Sequence, residues 1–190
     1  MNYEQKLIEY IRNTEGNLRA EWIEDTTPLS LLSGLAEESL EKNNPEGMIA
    51  ALFIYHQLTI EILKSIIIYS NFLIKISVYP TQFIPKENKK DLKYSDIISQ
   101  LKYSVAFKGK EKIIEYSQKL NGLRNEFGHR IMDNSGYSDI PDKLSNIKFI
   151  FDEIFNKSQY GIYDLRLKIN KIKQREEIQE LMKRNNCNPK

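Results

Sequence analysis

The chain has two histidines in 190 residues, His56 and His129. The second closes a run, Leu120-Asn121-Gly122-Leu123-Arg124-Asn125-Glu126-Phe127-Gly128-His129-Arg130, that gathers groups able to do chemistry. An imidazole can take or give a proton near neutral pH. A guanidinium presents a planar fork that can hold two phosphate oxygens and stabilise growing negative charge. Arg124 and His129 lie five residues apart, with Asn125 directly after the arginine. Five residues of an ideal helix turn by ~140°, so in mid-helix this pair would not share a face. Asn121-Gly122 reads as a helix stop. A new helix would then start just before Arg124, in a first turn that can depart from ideal geometry. Asn125 and His129, four apart, share a face. Gly128 costs ~1 kcal/mol in a helix interior relative to Ala. Its missing side chain beside His129 implies close approach by another helix, a second subunit or a substrate.

Each of these residues also has a plain structural reading. His129 can pair with Glu126, and Arg124 with Glu126 or Asp133. Asn125 can be a helix cap or a core hydrogen-bond donor. Arg130 reads as a surface charge or a phosphate contact. His56 lies inside an apolar helix and reads as a satisfied core histidine. Cys187 reads as an inert thiol near the end of the chain.

Other chemistries find little support. Two histidines and one cysteine cannot readily make a zinc cage, and one thiol gives no internal disulfide framework. There is no HExxH, EF-hand loop, GxGxxG, phosphate-binding GxxxxGK[ST] or Gly-x-Ser-x-Gly elbow. The formal net charge is +2, far from the basic balance of a protein that coats nucleic acid without selection. The first residues are polar and lack the apolar core of a secretory leader, so a cytoplasmic location is expected.

The elements that must position the run follow from composition and spacing. An apolar fraction of 41% and a charged fraction of 28% describe a soluble globular chain. With eight glycines and six prolines, turns are few and elements long, which favours helices. Leu7, Ile8, Ile11, Leu18 and Trp22 predict a helix over 3–24, and Asp25-Thr26-Thr27-Pro28 a turn into a second over 29–42. After the loop Asn43–Gly47, a long apolar helix spans 48–79. Its longest charge-free run, between Lys64 and Lys75, is too short for a membrane span, so it is expected to be a core helix. Residues 79–94, with Lys86–Asp91 at their centre, read as an exposed connection. Helices are then expected at 95–105, 109–120, from Asn121-Gly122 to about Met132 (ended by Asn134-Ser135-Gly136), 141–157 and 162–184.

The Arg124-Asn125-x3-His129 pattern, late in an all-helical chain whose early long helix carries Tyr55-His56-Gln57-Leu58-Thr59-Ile60-Glu61, resembles the HEPN family of small helical domains. The resemblance covers about residues 45–160. It implies an all-α antiparallel bundle, with 1–44 as an N-terminal helical extension and 161–190 as a C-terminal amphipathic helix and tail, in one compact domain. Within the family the chain looks most like stand-alone prokaryotic toxin or phage-defence members. The implied activity is an RNA endonuclease that needs no metal or other cofactor, works as a homodimer and has no membrane association. An antitoxin or another defence-system protein is a possible partner. Arg124, Asn125 and His129 would be catalytic, with His129 accepting the proton of a ribose 2′-OH. Arg130 and Lys119 would bind substrate, and Lys108, Lys110, Lys112 and Lys119 would form either an RNA track or a solvated face. A non-catalytic module that binds RNA or a partner protein, with the Arg/His pair structural or at a dimer interface, is the competing reading.

Overall fold

The computed structural model describes residues 3–16, 27–84, 92–132 and 139–186. The all-α expectation holds: these residues form helices α1 (Tyr3–Gly16), α2 (Thr27–Glu41), α3 (Pro45–Ser77), α4 (Tyr94–Tyr103), α5 (Lys110–Met132), α6 (Ile140–Leu144), α7 (Ile147–Lys173) and α8 (Glu176–Asn186), with no strand among them.

The sharp turn into α3 is written in local chemistry. Asn43 takes a left-handed φ of 49°, which asparagine tolerates better than most side chains. Asn44 then caps α3, its side-chain oxygen accepting from the Gly47 N–H at 2.8 Å, and Pro45 fills the first turn. Gly47 meets α2 directly: a Cβ there would sit 2.1 Å from the Ser39 carbonyl oxygen. Among the described residues α3 is the one helix long and apolar enough to cross a membrane by length and composition. Most of its apolar window is enclosed by its neighbours, as in a core helix.

Side-chain pairings give the directions. Tyr55 stacks on Phe151 and Arg166 bonds the Tyr69 hydroxyl, so α3 and α7 run parallel. His56 meets Asn121 and Phe53 meets Arg124, so α5 runs antiparallel to α3. Ser39 against Gly47 and Glu37 against Lys148 set α2 antiparallel to both. The core lies between them and includes Leu52, Leu63, Ile113, Leu120, Phe127 and Ile154, each essentially fully buried. Each such side chain contributes roughly 1.5–3 kcal/mol by leaving water.

At the far end of α3, α1 and α8 pack against each other. The Tyr79 hydroxyl donates to Glu4 at 2.9 Å, the Phe83 N–H donates to the Tyr3 hydroxyl, and Lys173 Nζ reaches the Ile11 carbonyl at 3.4 Å. Tyr79 is buried, so the start of the 79–94 connection is an anchor for α1 rather than a plain solvated loop.

Several boundaries differ from expectation: α3 already begins at Pro45, inside the expected loop, and the helix expected over 141–157 is broken at Ser145-Asn146 into α6 and the start of α7. Asn121-Gly122 does not stop a helix, since α5 runs through it. The break expected between 157 and 162 is absent too. Gly161 lies within α7 because only a residue without Cβ lets the Phe107 ring close on it, at 2.7 Å from the position a Cβ would take. A domain edge at 160/161 would therefore cut a helix, and the last expected helix is the end of α7 plus a separate α8. Residues 17–24 of the first expected helix, Asp25-Thr26, Lys86–Asp91, Asn134-Ser135-Gly136 and Cys187 lie outside the described residues.

Candidate functional site

Gly109, at a left-handed φ of 86°, turns the chain into α5, as the sequence suggests. From there α5 is continuous, and this changes the geometry of the motif. Arg124 is mid-helix, not in a first turn. It and His129 are turned by ~140° and displaced ~7.5 Å along the axis. Asn125 and His129 share the outward face, and both are exposed. Arg124 is exposed on a flank, its guanidinium carbon 5.6 Å from the Phe53 ring centre of α3 and its Nη1 donating to Asn125 Oδ1 at 3.2 Å. Within one chain the arginine and the histidine do not converge.

Neither His129 nor Arg124 pairs with Glu126, while Arg130 and Lys119 are both ion-paired. Glu126 pairs with Lys143 instead. Asp133 lies outside the described residues. Arg130 is held by Asp139 through two bonds, at 2.8 and 3.0 Å, and lies over the Phe127 ring. The Arg130 guanidinium in turn holds the Asp139 carboxyl below its usual range. As a substrate-binding residue Arg130 would first have to leave this fork. Lys119 is likewise bound to Glu115 at 2.8 Å and lies over Tyr116. Lys112 takes the same carboxylate, and the two lysines hold Glu115 down at about 2. Lys110 turns to backbone carbonyls. Of the lysines before the motif, Lys112 and Lys119 are thus ion-paired and Lys110 is taken up by backbone carbonyls.

Gly128 was expected to mark a close approach. Among the described residues, a Cβ there would meet just Arg124 Nη1, at 4.0 Å, and one at Gly122 would meet nothing within 4 Å. The two glycines, six apart, lie on different sides of α5.

His56 is a satisfied core histidine, as its place in an apolar helix suggests. It is buried, its Nε2 lies 3.1 Å from Asn121 Oδ1, and its ring stacks on Tyr94 at 4.6 Å between centres. Burial pushes its pKa down, and the nearby Arg124 charge pushes the same way. Burial also raises the Tyr94 phenol, which stays a donor and bonds the Ser117 carbonyl at 2.9 Å.

Beside this pocket, α4 and α5 enclose a polar groove of about 390 Å³, lined by Ser95, Ser99, Lys102, Tyr103, Gln118 and Asn121 among others. Sequence reading missed it. The available signal was Tyr103, an aromatic placed opposite the Ile97–Ile98–Leu101 face of a short helix, next to a lysine. Among the described residues no three of His, Cys, Asp and Glu gather as a metal cage. No protein-family model, curated protein or solved structure matches the chain.

Proposed function

We propose that the chain is a HEPN-type endoribonuclease in which two copies join α5 faces, acting in the cytoplasm as a toxin or phage-defence effector. One observation carries the reading. Along α5 the charges of Lys112, Glu115, Lys119, Glu126 and Arg130 are paired within the chain, whereas Arg124 and His129 are exposed and pair with no carboxylate among the described residues. Two groups suited to phosphate and proton transfer stand open beside charges that are mostly paired.

The chemistry uses the chain's own residues. His129 takes the proton of a ribose 2′-OH, and the oxygen attacks the adjacent phosphorus. The bond to the 5′ oxygen breaks, leaving a 2′,3′-cyclic phosphate and a 5′-OH. Arg124 holds the non-bridging oxygens as charge grows on them, and Asn125 holds Arg124. The ~140° between Arg124 and His129 means one copy does not bring both to one phosphorus. A two-fold pair of α5 helices facing each other along the exposed Asn125–His129 face joins one copy's arginine to the other's histidine. It also supplies a second imidazole to protonate the leaving oxygen.

The test is incubation of purified protein with total RNA in EDTA, beside His129→Ala. The expected result is cleavage that persists in EDTA, ends in 2′,3′-cyclic phosphate and is lost in the variant. Cleavage abolished by EDTA, or unchanged in His129→Ala, overturns the mechanism. RNA bound but never cut favours the non-catalytic binding module.

A further inference from the structure

We propose that the α4–α5 groove is a nucleotide subsite for single-stranded RNA, in which a base stacks on Tyr103 beside the phosphate-holding Lys102. The choice of RNA over other nucleotides rests on the function proposed above. The groove itself is argued from its walls.

Tyr103 is 88% exposed, more than any other large apolar side chain among the described residues. It ends α4 on the side away from the buried Ile97, Ile98 and Leu101, so core packing does not account for it. Its backbone is nonetheless fixed. Lys110 Nζ donates to the carbonyls on either side, Lys102 at 2.9 Å and Ser104 at 2.7 Å, which pins the end of α4 against the start of α5. An aromatic ring with open faces on a pinned backbone is a stacking platform, and stacking accepts any base.

The other walls suit the rest of a nucleotide. Ser95, Ser99 and Lys102 stand on one face of α4, offering two hydroxyls and a cation. Lys102 is the one charged side chain lining the groove among the described residues, so an anionic ligand meets no opposing carboxylate. Asn121 gives its Oδ1 to His56, which leaves its NH₂ to donate toward the groove it lines, and Gln118 adds a second amide. Two amides can address a base edge. The volume of about 390 Å³ falls within the range of ~300–1,000 Å³ usual for small-ligand sites.

Position links the groove to the proposed chemistry. Asn121, Asn125 and His129 follow at four-residue steps along one face of α5, so the groove lies ~12 Å along the axis from His129. A strand with its scissile phosphate at His129 reaches the groove with a flanking nucleotide.

The experiment measures binding of a fluorescent, unstructured oligoribonucleotide to the full chain carrying His129→Ala, so that nothing is cut. Adding Tyr103→Ala should weaken binding about 5- to 150-fold, the range a lost base–aromatic stack gives, while Tyr103→Trp should bind as well as Tyr103. Adding Lys102→Ala should lower the salt slope by about 0.7, as for one lost single-strand phosphate contact. A blunt RNA duplex, whose bases are already stacked, should compete poorly. Unchanged affinity in Tyr103→Ala, equal loss in Tyr103→Trp, or no binding of the oligoribonucleotide at all overturns the subsite. Cleavage by the otherwise unaltered chain is measured alongside. Tyr103-dependent binding without cleavage overturns the ribonuclease and supports the subsite; cleavage with Tyr103-independent binding does the reverse.

Discussion

Both imidazoles of the chain lie along α5, in opposite circumstances. His56 reaches α5 from α3, loses its water, and gains an amide and an aromatic face in exchange. His129 projects from α5 itself into solvent and makes no hydrogen bond with the described residues. The contrast separates two uses of one side chain. A ring enclosed by fixed partners stabilises the junction of α3, α4 and α5, and its protonation works against the fold. A ring left open can exchange protons with whatever docks there. Arg124 stands between the two regions, close enough to His56 to disfavour its charge yet exposed on its own flank.

The largest effect that would break this contrast is on catalysis. His129→Ala should lower RNA cleavage by roughly 100- to 10,000-fold, and Arg124→Ala comparably, with melting temperatures unmoved. Rates are read by gel and stability by thermal denaturation. A drop of several degrees in either variant would assign His129 or Arg124 to structure.

His56→Ala should act the other way. It removes a buried ring and leaves Asn121 and Tyr94 without their partner, costing about 2–4 kcal/mol in chemical denaturation. Any loss of cleavage should then track the unfolded fraction.

The pH dependence should follow His56 as well. Its folded pKa lies below the ordinary 6.5, so its contribution to stability is complete above pH 6.5. As the pH falls through 6.5 the unfolded chain takes up a proton that the folded chain refuses, and stability declines until the lower folded value is reached. Denaturation midpoints between pH 7.5 and 5 should fall in the unaltered chain and fall less in His56→Gln.

The smallest effect expected is a gain. Gly122→Ala, at an exposed helical position where a Cβ meets none of the described residues, should stabilise the isolated chain by about 0.5–1 kcal/mol. If α5 pairs with a second copy there, the same change should weaken the dimer, as read by sedimentation.

Much of this was readable in the sequence and some was not, for physical reasons. The apolar spacing of α3 and the Gly109 turn are local signals and sit where expected, while the Asn43–Gly47 loop is shorter than expected, because Asn44 caps α3 and Pro45 opens it. Asn121-Gly122 is an equally strong local signal that tertiary packing overrides. Leu120 and Phe127 bury on either side of it, each worth more than the ~1 kcal/mol a helical glycine costs, and Asn121 spends its side chain on His56 instead of on a turn. The continuity of α7 across the break expected at 158–161 was hidden for the same reason, since the small size of Gly161 answers Phe107, some fifty residues earlier in the chain. The exposure of Arg124 and His129 was not legible at all. It depends on Lys143 and Asp139, which take up Glu126 and Arg130 from a different helix and its approach.

The closure of α1 on α8 also bears on the order in which the molecule assembles. The bond from Lys173, at the end of α7 next to α8, to the Ile11 carbonyl of α1 joins residues 162 apart in sequence, so it closes one of the largest loops in the fold. The α3–α5–α7 bundle does not need that loop closed and can form first. In the finished protein the α1–α8 pair should then open at lower free energy than α3, so that its amides exchange with solvent hydrogen sooner.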